Sequence, residues 1–423
     1  MQKYIGSEQL QKFNCFIAGF AIISSLLITI RQMAPFIGEN IVIMGMTISI
    51  FLTSIYYGYN DSKNQLNHNN TNNQKNFLII ASLVGAGLSY IFIDFFNIII
   101  RSINQNINVF IILFGFLLIT IAPIGYYFGK SKIFINNASI LGLVSGSIIT
   151  PIVFMRLFGI ATTVFIVFLL FIFISIKSLL THPYINLKKN INILYLLIIP
   201  ICYYLNIIVE KNNFVITNAY GNYAIIQDKN KKIFSINHSA SSMVQQDTKQ
   251  GFPYIELIKK ILFDDLKLIN KNILILGGGG FSFTADGNKN NNITYVDIDP
   301  DLKNIVIKYF NKVTYGDLKI ADAAVFVKNA KHQHKKYAAV ISDVYSSQHI
   351  IPSHILNLEY FKNISSILEN DGVAIFNIIA NPSLNDYYSR DIDTKIRMVF
   401  SSCMSIPFNY YSDQVSNIIY VCN

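Results

Sequence analysis

Charged side chains are scarce in this sequence, and they are scarcest in its first half. Only 14% of the 423 residues are Asp, Glu, Lys or Arg. Residues 1–208 contain 12 basic and 4 acidic residues, whereas residues 209–423 contain 22 and 20. Soluble domains devote about a quarter of their residues to charge. The first half is therefore not an ordinary water-solvated domain and is predicted to lie in a membrane, while the second half has the polarity of a soluble domain.

Runs without charge locate the predicted membrane spans. An ionised side chain at the bilayer centre costs about 2.5–3.5 kcal/mol on insertion scales, and about 20 apolar residues cross the hydrocarbon. We predict seven helices, in the runs Phe13–Ile30, Asn40–Asn60, Asn76–Ile93, Ser102–Gly129, Ile133–Met155, Leu157–Ile176 and Asn190–Val209. Polar residues interrupt the stretch Ile133–Ile176, which leaves a re-entrant segment or a different span count open there.

Loop charges predict how these spans are oriented, because cytoplasmic loops are enriched in Lys and Arg. The N-terminal tail and the loops on its side carry 9 such residues, and the loops on the opposite side carry 3. The rule predicts a cytoplasmic N-terminus. With seven spans, the second half would then lie outside the cell.

Cysteine is also scarce, and this limits the metal and disulfide chemistry. The four cysteines, Cys15, Cys202, Cys403 and Cys422, show no paired spacing. The pattern indicates neither a zinc site nor a disulfide framework, so we expect buried, unpaired thiols and no metal. The near-neutral second half has no basic stripe, which argues against nucleic-acid binding.

The second half begins with a small β unit. The short apolar runs Phe214–Thr217, Tyr223–Gln227 and Ile233–Ile236 are predicted strands, with a turn at Asp228–Lys232, and Pro253–Leu262 is a predicted amphipathic helix. We therefore divide the chain into a multi-pass membrane domain at 1–209, a β unit with its linking helix at 210–265, and a third domain at 266–423.

The third domain alternates strands with helices. The predicted strands are Asn272–Leu276, Ile293–Val296, Ala338–Ser342 and Val373–Ile378, followed by a possible antiparallel pair, Phe408–Tyr410 and Ile418–Val421. Such alternation predicts a doubly wound, mostly parallel sheet with ligands at the carboxyl ends of its strands.

Residues with candidate binding or catalytic roles follow three of these strands. Gly277 to Gly280 come directly after Leu276, and glycine lets the backbone turn sharply and approach a ligand. About 20 residues further on, Asp297 and Asp299 stand where a nucleoside-binding fold has an acid for ribose hydroxyls. No Lys-Ser or Lys-Thr pair follows the glycines, which argues against a triphosphate-binding loop.

Two further acidic residues are predicted at the same edge of the sheet. Asp322-Ala323 lies before Val325 and Phe326, and Asp343 ends a strand with Tyr345 two residues later. An aspartate at the carboxyl end of a strand faces the ligand crevice, although the same position also suits a helix cap or a loop carboxylate.

In their order and spacing, residues 214–423 resemble spermidine synthases, the polyamine aminopropyltransferases of the Rossmann-like methyltransferase superfold. The likeness is greatest to members with several membrane spans before the synthase domain. The motifs that carry it are Tyr220-Gly221-Asn222, Tyr254 with Glu256, Ile273–Gly280, Tyr295–Pro300, Asp322-Ala323, Ser342–Ser347, Ile351-Pro352 and the helix from Leu358.

The resemblance implies a role for each matching residue. Gly277, Gly278 and Gly279 would frame the pocket of decarboxylated S-adenosylmethionine, a cosubstrate rather than a bound cofactor. The ribose would bind Asp297, with Asp299 beside it, and the adenine would bind Asp322 and Ala323. Asp343 would be the catalytic carboxylate, with Tyr345 as a further catalytic residue and Tyr254 and Glu256 on the side of the amine. A diamine or polyamine is the implied substrate, and a homodimer is a further expectation.

The sequence also departs from the soluble enzymes of this family. Their glycine motif reads GGGDG, whereas Gly280 occupies the acidic position here, and Ser346 stands where they often have a second aspartate. Two alternatives therefore stay open: an S-adenosylmethionine-dependent methyltransferase, and a transport or sensing protein with a non-catalytic nucleoside-binding domain. Because adenosyl cosubstrates are made in the cytoplasm, we expect a multi-pass inner-membrane protein with a cytoplasmic catalytic domain, against the loop-charge count.

Overall fold

The computed structural model describes residues 2–37, 41–64, 71–95, 109–131, 133, 136–180, 197–345, 351–352, 354–408 and 415–423. The chain divides into two compact units, residues 1–221 and 222–423. Each unit is built around its own apolar side chains, and each is described by itself.

The first unit is helical. Its α-helices are Gln2–Ile37, Ile41–Asn64, Thr71–Gly87, Val109–Lys130, Asn137–Ile149, Arg156–Phe158, Ile160–Leu180 and Val209–Asn213, with π-helical turns at Thr150–Met155 and Tyr204–Ile208. A short strand, β1, follows at Ile216–Thr217. Large aromatic side chains such as Phe77, Phe116, Phe168 and Phe171 are buried between the helices.

The number of possible membrane spans is smaller than the sequence predicted. Among the described residues, three helices rather than seven are long and apolar enough to cross a bilayer: Gln9–Ala34, Ile111–Lys130 and Asn137–Phe158. Two others, Lys75–Gly87 and Ile160–Ile176, are apolar but shorter. Charge-free runs overcount spans because they ignore where helices end. Gly159, with φ of 80°, separates two neighbouring helices and so interrupts the predicted span Leu157–Ile176 near its start. The predicted span Asn190–Val209 begins outside the described residues.

The second unit begins with an antiparallel sheet. Strands β2 (Asn222–Asp228), β3 (Lys231–Ile236) and β4 (Ser239–Gln245) pair in sequence order. Lys229 and Asn230 form the turn between β2 and β3, as the sequence predicted. The strand β4 was not predicted, because its polar residues Ser239, Ser241 and Ser242 hide its periodicity.

A seven-stranded sheet forms the rest of this unit. Its strands are β5 (Asn272–Leu276), β6 (Asn292–Asp297), β7 (Asp317–Ile320), β8 (Tyr337–Ser342), β9 (Leu368–Ala380), β10 (Cys403–Pro407) and β11 (Ser416–Cys422), in the order β10-β11-β9-β8-β5-β6-β7. β5 to β9 are parallel, whereas β11 runs antiparallel to β9 and to β10. The helices around it are Pro253–Lys259, Leu302–Tyr309, Ala323–His332, Leu358–Ser366 and Tyr387–Val399.

The carboxyl-terminal strand pair differs from its prediction. The strand preceding β11 is Cys403–Pro407 rather than Phe408–Tyr410, of which Asn409 and Tyr410 lie outside the described residues. The register brings Cys403 opposite Cys422, and the two form a disulfide. The expectation of four unpaired cysteines is therefore wrong for this pair, since strand register joins residues 19 apart in sequence. Cys15 and Cys202 are free and buried, as expected.

Candidate functional site

The glycine bend joins the ends of two parallel strands. Gly277 has φ of +96°, and a Cβ at this position would lie 2.2 Å from the carbonyl oxygen of Asp343. The amide of Asp343 donates to the carbonyl of Leu276 at 2.8 Å. Only glycine permits both the left-handed backbone and this contact. The bend thus fixes the backbone of Asp343 directly.

Gly279 and Gly280 pack against the small antiparallel sheet. The amide of Gly280 donates to Ser242 Oγ at 2.8 Å. A Cβ on Gly280 would lie 2.6 Å from a ring carbon of Phe310 and 2.8 Å from Cβ of Ser242, and one on Gly279 would lie 2.9 Å from Ser242 Oγ. There is no room at position 280 for the acidic side chain of the GGGDG pattern. Phe281 packs edge-on against Tyr295, with ring centroids 4.6 Å apart.

Asp297, at the end of β6, is hydrogen-bonded to the glycine bend. Its Oδ2 accepts from the amide of Gly278 at 2.8 Å, and its Oδ1 accepts from the amide of Asp299 at 3.0 Å. Desolvation raises the pKa of Asp297 despite these hydrogen bonds. The predicted ribose-binding carboxylate therefore lies at the glycine bend, with one backbone donor already on each oxygen.

Asp299 is turned towards the small sheet. Its side chain is buried, its Oδ1 accepts from the amide of Asp301 at 2.8 Å, and its Oδ2 accepts a hydrogen bond from the hydroxyl of Tyr223. These contacts join β2 to the loop after β6. They give Asp299 a role in holding the two sheets of this unit together, beside the nucleoside role predicted for it.

Asp322 caps the helix that Ala323 begins. Its Oδ1 accepts from the amide of Val325 at 3.0 Å, and its Oδ2 lies 2.8 Å from Nε2 of His354. Ala323 is buried. The sequence did not single out His354, which belongs to the segment between β8 and the helix Leu358–Ser366.

The candidate catalytic carboxylate has two side-chain donors. The hydroxyl of Tyr254 donates to Oδ2 of Asp343 at 3.0 Å, and Nδ2 of Asn377 donates to Oδ1 at 2.8 Å. Desolvation raises the pKa of Asp343, and the two hydrogen bonds oppose that rise in part. A desolvated carboxylate of this kind is a better proton acceptor than an exposed one.

Tyr345 is fixed by the backbone of β9. Its hydroxyl donates to the carbonyl of Asn377 at 2.9 Å and accepts from the amide of Ile379 at 2.8 Å. Desolvation raises the pKa of the phenol well above its usual value, and the neighbouring Asp343 adds to the rise. Tyr345 is thus a neutral phenol beside Asp343 whose single proton is already donated.

Glu256 is paired with a lysine rather than directed to Asp343. Its Oε1 accepts from the amide of Gly251 at 2.7 Å and from Nζ of Lys259 at 3.1 Å. The Lys259 ammonium, only 8% exposed, also binds Oδ1 of Asp286 at 3.0 Å. The described contacts therefore bring Tyr254 to Asp343 and assign Glu256 to a charge cluster that the sequence did not reveal.

A small cavity lies on the other face of β8. Its lining includes Ser342, Val344, Tyr360 and Phe376. Successive side chains of a strand point to opposite faces, so Asp343 faces away from this cavity. Among the described residues, no group of three or more His, Cys, Asp or Glu could hold a metal ion. Ser346, the position of the second family aspartate, lies outside the described residues.

Comparison with known proteins finds a family model that matches part of this unit. Residues 233–419 match the model of the spermine/spermidine synthase domain. Among curated proteins, no sequence matches this chain.

Solved structures with a similar chain include a probable spermidine synthase from Corynebacterium glutamicum, which is 19% identical over 48% of this chain and 77% of its own, with a TM-score of 0.41. The spermidine synthase of Thermotoga maritima is 16% identical over 48% of this chain and 69% of its own, with a TM-score of 0.38. Human methyltransferase-like protein 13 is 20% identical over 39% of this chain and 74% of its own, with a TM-score of 0.32. The second unit has a mixed seven-stranded sheet and contains a region that matches the spermine/spermidine synthase domain.

Proposed function

We propose that the second unit is an aminopropyltransferase. It transfers the aminopropyl group of decarboxylated S-adenosylmethionine to a primary amine of a diamine such as putrescine and releases methylthioadenosine. The family match over residues 233–419 supports this class of reaction. The observation that carries the proposal is the desolvated carboxylate of Asp343, held by Tyr254 and Asn377 beside the glycine bend.

Asp343 supplies the base that the reaction needs. An alkylammonium has no lone pair, so the incoming amine must first lose a proton. The ionised Asp343 accepts this proton and orients the nitrogen towards the methylene carbon beside the sulfonium. The new C–N bond forms as the C–S bond breaks, and the sulfur leaves as the neutral thioether of methylthioadenosine. The acceptor nitrogen that forms the new bond then carries the positive charge that the sulfonium loses.

The nucleoside of the donor is assigned to the edge formed by the glycine bend and the loops after β6 and β7. Gly277, Gly278 and Gly279 approach the ligand with their backbone, Asp297 accepts hydrogen bonds from the ribose, and Asp322 accepts one from the adenine. Free carboxylate lone pairs remain on both acids, since each oxygen accepts only one of the hydrogen bonds described above. The cationic donor and acceptor both suit this acidic edge.

The helical unit is proposed to anchor the protein in the inner membrane. Three long apolar helices support this role. The proposed donor and the disulfide favour opposite sides for the synthase-like unit. The proposed adenosyl donor is made in the cytoplasm, whereas disulfides such as Cys403–Cys422 persist in oxidising compartments. We propose the cytoplasmic side. A reporter fused after Asn423 tests it, and reporter activity only outside the cell would overturn it.

The reaction is tested by identifying its products. Purified full-length protein is incubated with decarboxylated S-adenosylmethionine or S-adenosylmethionine, each with putrescine, cadaverine or 1,3-diaminopropane. We expect methylthioadenosine and a new polyamine from the decarboxylated donor. Release of S-adenosylhomocysteine from the other donor would assign methyl transfer instead. Turnover of neither donor would contradict catalysis and favour the binding or transport class.

A further inference from the structure

A chain of two amides leads from strand β11 to the candidate catalytic carboxylate. Nδ2 of Asn417 donates to Oδ1 of Asn377 at 2.8 Å, and Nδ2 of Asn377 donates to Oδ1 of Asp343 at 2.8 Å. Asn377 is buried within the long strand β9. Every hydrogen bond in this chain therefore points from Asn417 towards Asp343.

The direction of the chain matters because a carboxamide has a donor end and an acceptor end of nearly equal shape. Only the donor end of Asn377 can stabilise an ionised carboxylate. The swapped orientation would bring its carbonyl oxygen against the Asp343 oxygen and would disfavour the charged form. Asn417 supplies the donor that holds the carbonyl end of Asn377 on the opposite side.

We propose that Asn417 is a positioning residue for Asp343: it fixes the orientation of the Asn377 amide, and this orientation keeps the carboxylate ionised and aimed at the acceptor amine. Asn417 acts through Asn377 and touches no reacting atom. The inference rests on the proposed function for its kinetic consequences, but not for its effect on the ionisation of Asp343.

Within the described part of the chain, few other groups contact the Asp343 carboxylate. The titratable groups facing Asp343 are Tyr254, from the helix Pro253–Lys259, and Tyr345, two residues further along its own segment. Among the described residues, strands β9 and β11 contribute the two amides, and the glycine bend contacts Asp343 through backbone. A change at Asn417 therefore reaches Asp343 by one described route.

The test compares four variants of the full-length protein. In Asn417→Asp the new carboxylate can accept hydrogen bonds but cannot donate them. The side-chain amide of Asn377 is therefore expected to rotate by half a turn and present its oxygen to Asp343. We expect the acid limb of kcat/KM to move about one pH unit upward, which is about a tenfold loss on that limb. Asn417→Leu removes the donor without adding charge, and a smaller shift in the same direction is expected. Asn417→Gln keeps the donor and should restore the profile.

The matched control is Ser416→Ala, on the same strand. Ser416 Oγ has no hydrogen-bond partner in the described part of the chain. Its removal should leave the acid limb unchanged. If the profiles of Asn417→Asp and Asn417→Leu coincide with those of the wild type and Ser416→Ala, the positioning role is refuted.

A second readout separates this inference from the proposed function. Carbodiimide labels protonated carboxyl groups, and mass spectrometry of the peptide carrying Asp343 reports the pH at which its labelling falls. Labelling should persist to higher pH in Asn417→Asp and Asn417→Leu than in Ser416→Ala, even if the wild type turns over neither donor. Equal midpoints in all of these proteins would refute the positioning role whatever the reaction is.

Discussion

The hydroxyl of Tyr254 donates a hydrogen bond of 3.0 Å to Oδ2 of Asp343, across 89 residues of sequence. It joins the helix Pro253–Lys259, which follows the small sheet, to the carboxyl end of β8 in the large sheet. The phenol is itself desolvated, and its pKa is raised well above its usual value by burial and by the Asp343 charge. Tyr254 therefore remains a neutral donor throughout the physiological range.

Tyr254→Phe should move the acid limb of the pH–rate profile upward. The lost hydrogen bond favours the ionised form of Asp343, so its removal raises the pKa of this carboxyl further. A hydrogen bond to a charged group is worth about 1.5–3 kcal/mol, and we expect kcat/KM at neutral pH to fall at least tenfold. An unchanged profile would show that this hydroxyl does not act on the reacting base.

Asp343→Asn should not destabilise the protein at neutral pH. The pKa of Asp343 is higher in the folded state than in the unfolded chain. Its protonation therefore stabilises the fold fully at pH values below the ordinary pKa of Asp, and this stabilisation is lost as the pH rises through the pKa of the folded state. The neutral amide escapes this loss. Denaturant midpoints should therefore be equal to or higher than those of the wild type at pH 7. A variant clearly less stable at pH 7 would contradict the direction of the shift.

Gly277→Ala should be far more damaging than Gly287→Ala. Both glycines have positive φ, +96° and +114°, so both variants carry similar backbone strain, worth about 1 kcal/mol. A Cβ on Gly277 would also lie 2.2 Å from the Asp343 carbonyl oxygen, whereas none of the described atoms lies within 4 Å of one on Gly287. Thermal unfolding and donor binding measure the difference. Equal effects of the two substitutions would show that the close contact at Asp343 is unimportant.

Lys259→Met should lower the free energy of unfolding more than Lys289→Met does. The Lys259 side chain is 8% exposed and pairs with Glu256 and Asp286, whereas that of Lys289 is 49% exposed and lies 3.4 Å from Asp286. Removal of the buried ammonium leaves Glu256 without this lysine and Asp286 with the exposed Lys289, at a cost of about 2 kcal/mol in the free energy of unfolding. The exposed pair should contribute less than about 1 kcal/mol. Comparable losses in urea unfolding would argue against the buried cluster.

The pattern of the sequence located the strands that carry the site. Buried apolar runs ending in Gly277, Asp297 and Asp343 predicted three strand ends, and parallel pairing brings these ends to one edge of the sheet. The strand Asp317–Ile320 was not predicted, because its residues are mostly exposed and give no apolar run. Its place at the edge of the sheet explains that composition.

The partners of the candidate residues were less predictable. Asn377 interrupts the apolar run Val373–Ala380 of β9, and this single polar residue in the run was the available signal for a partner of Asp343. Glu256 was predicted on the amine side, but the sequence does not show that Lys259, one helical turn later, would bind it. Likewise, the pairing of Cys403 with Cys422 depends on strand register, which their separation in sequence does not reveal.

The central claim is that Asp343 is the base for aminopropyl transfer. Its most direct test is the rate of methylthioadenosine release from decarboxylated S-adenosylmethionine and putrescine, in the wild type and in Asp343→Asn, with donor affinity measured in both. The account predicts a loss of about 10²–10⁴-fold in the variant, at nearly unchanged donor affinity. Release at the wild-type rate by Asp343→Asn would contradict it.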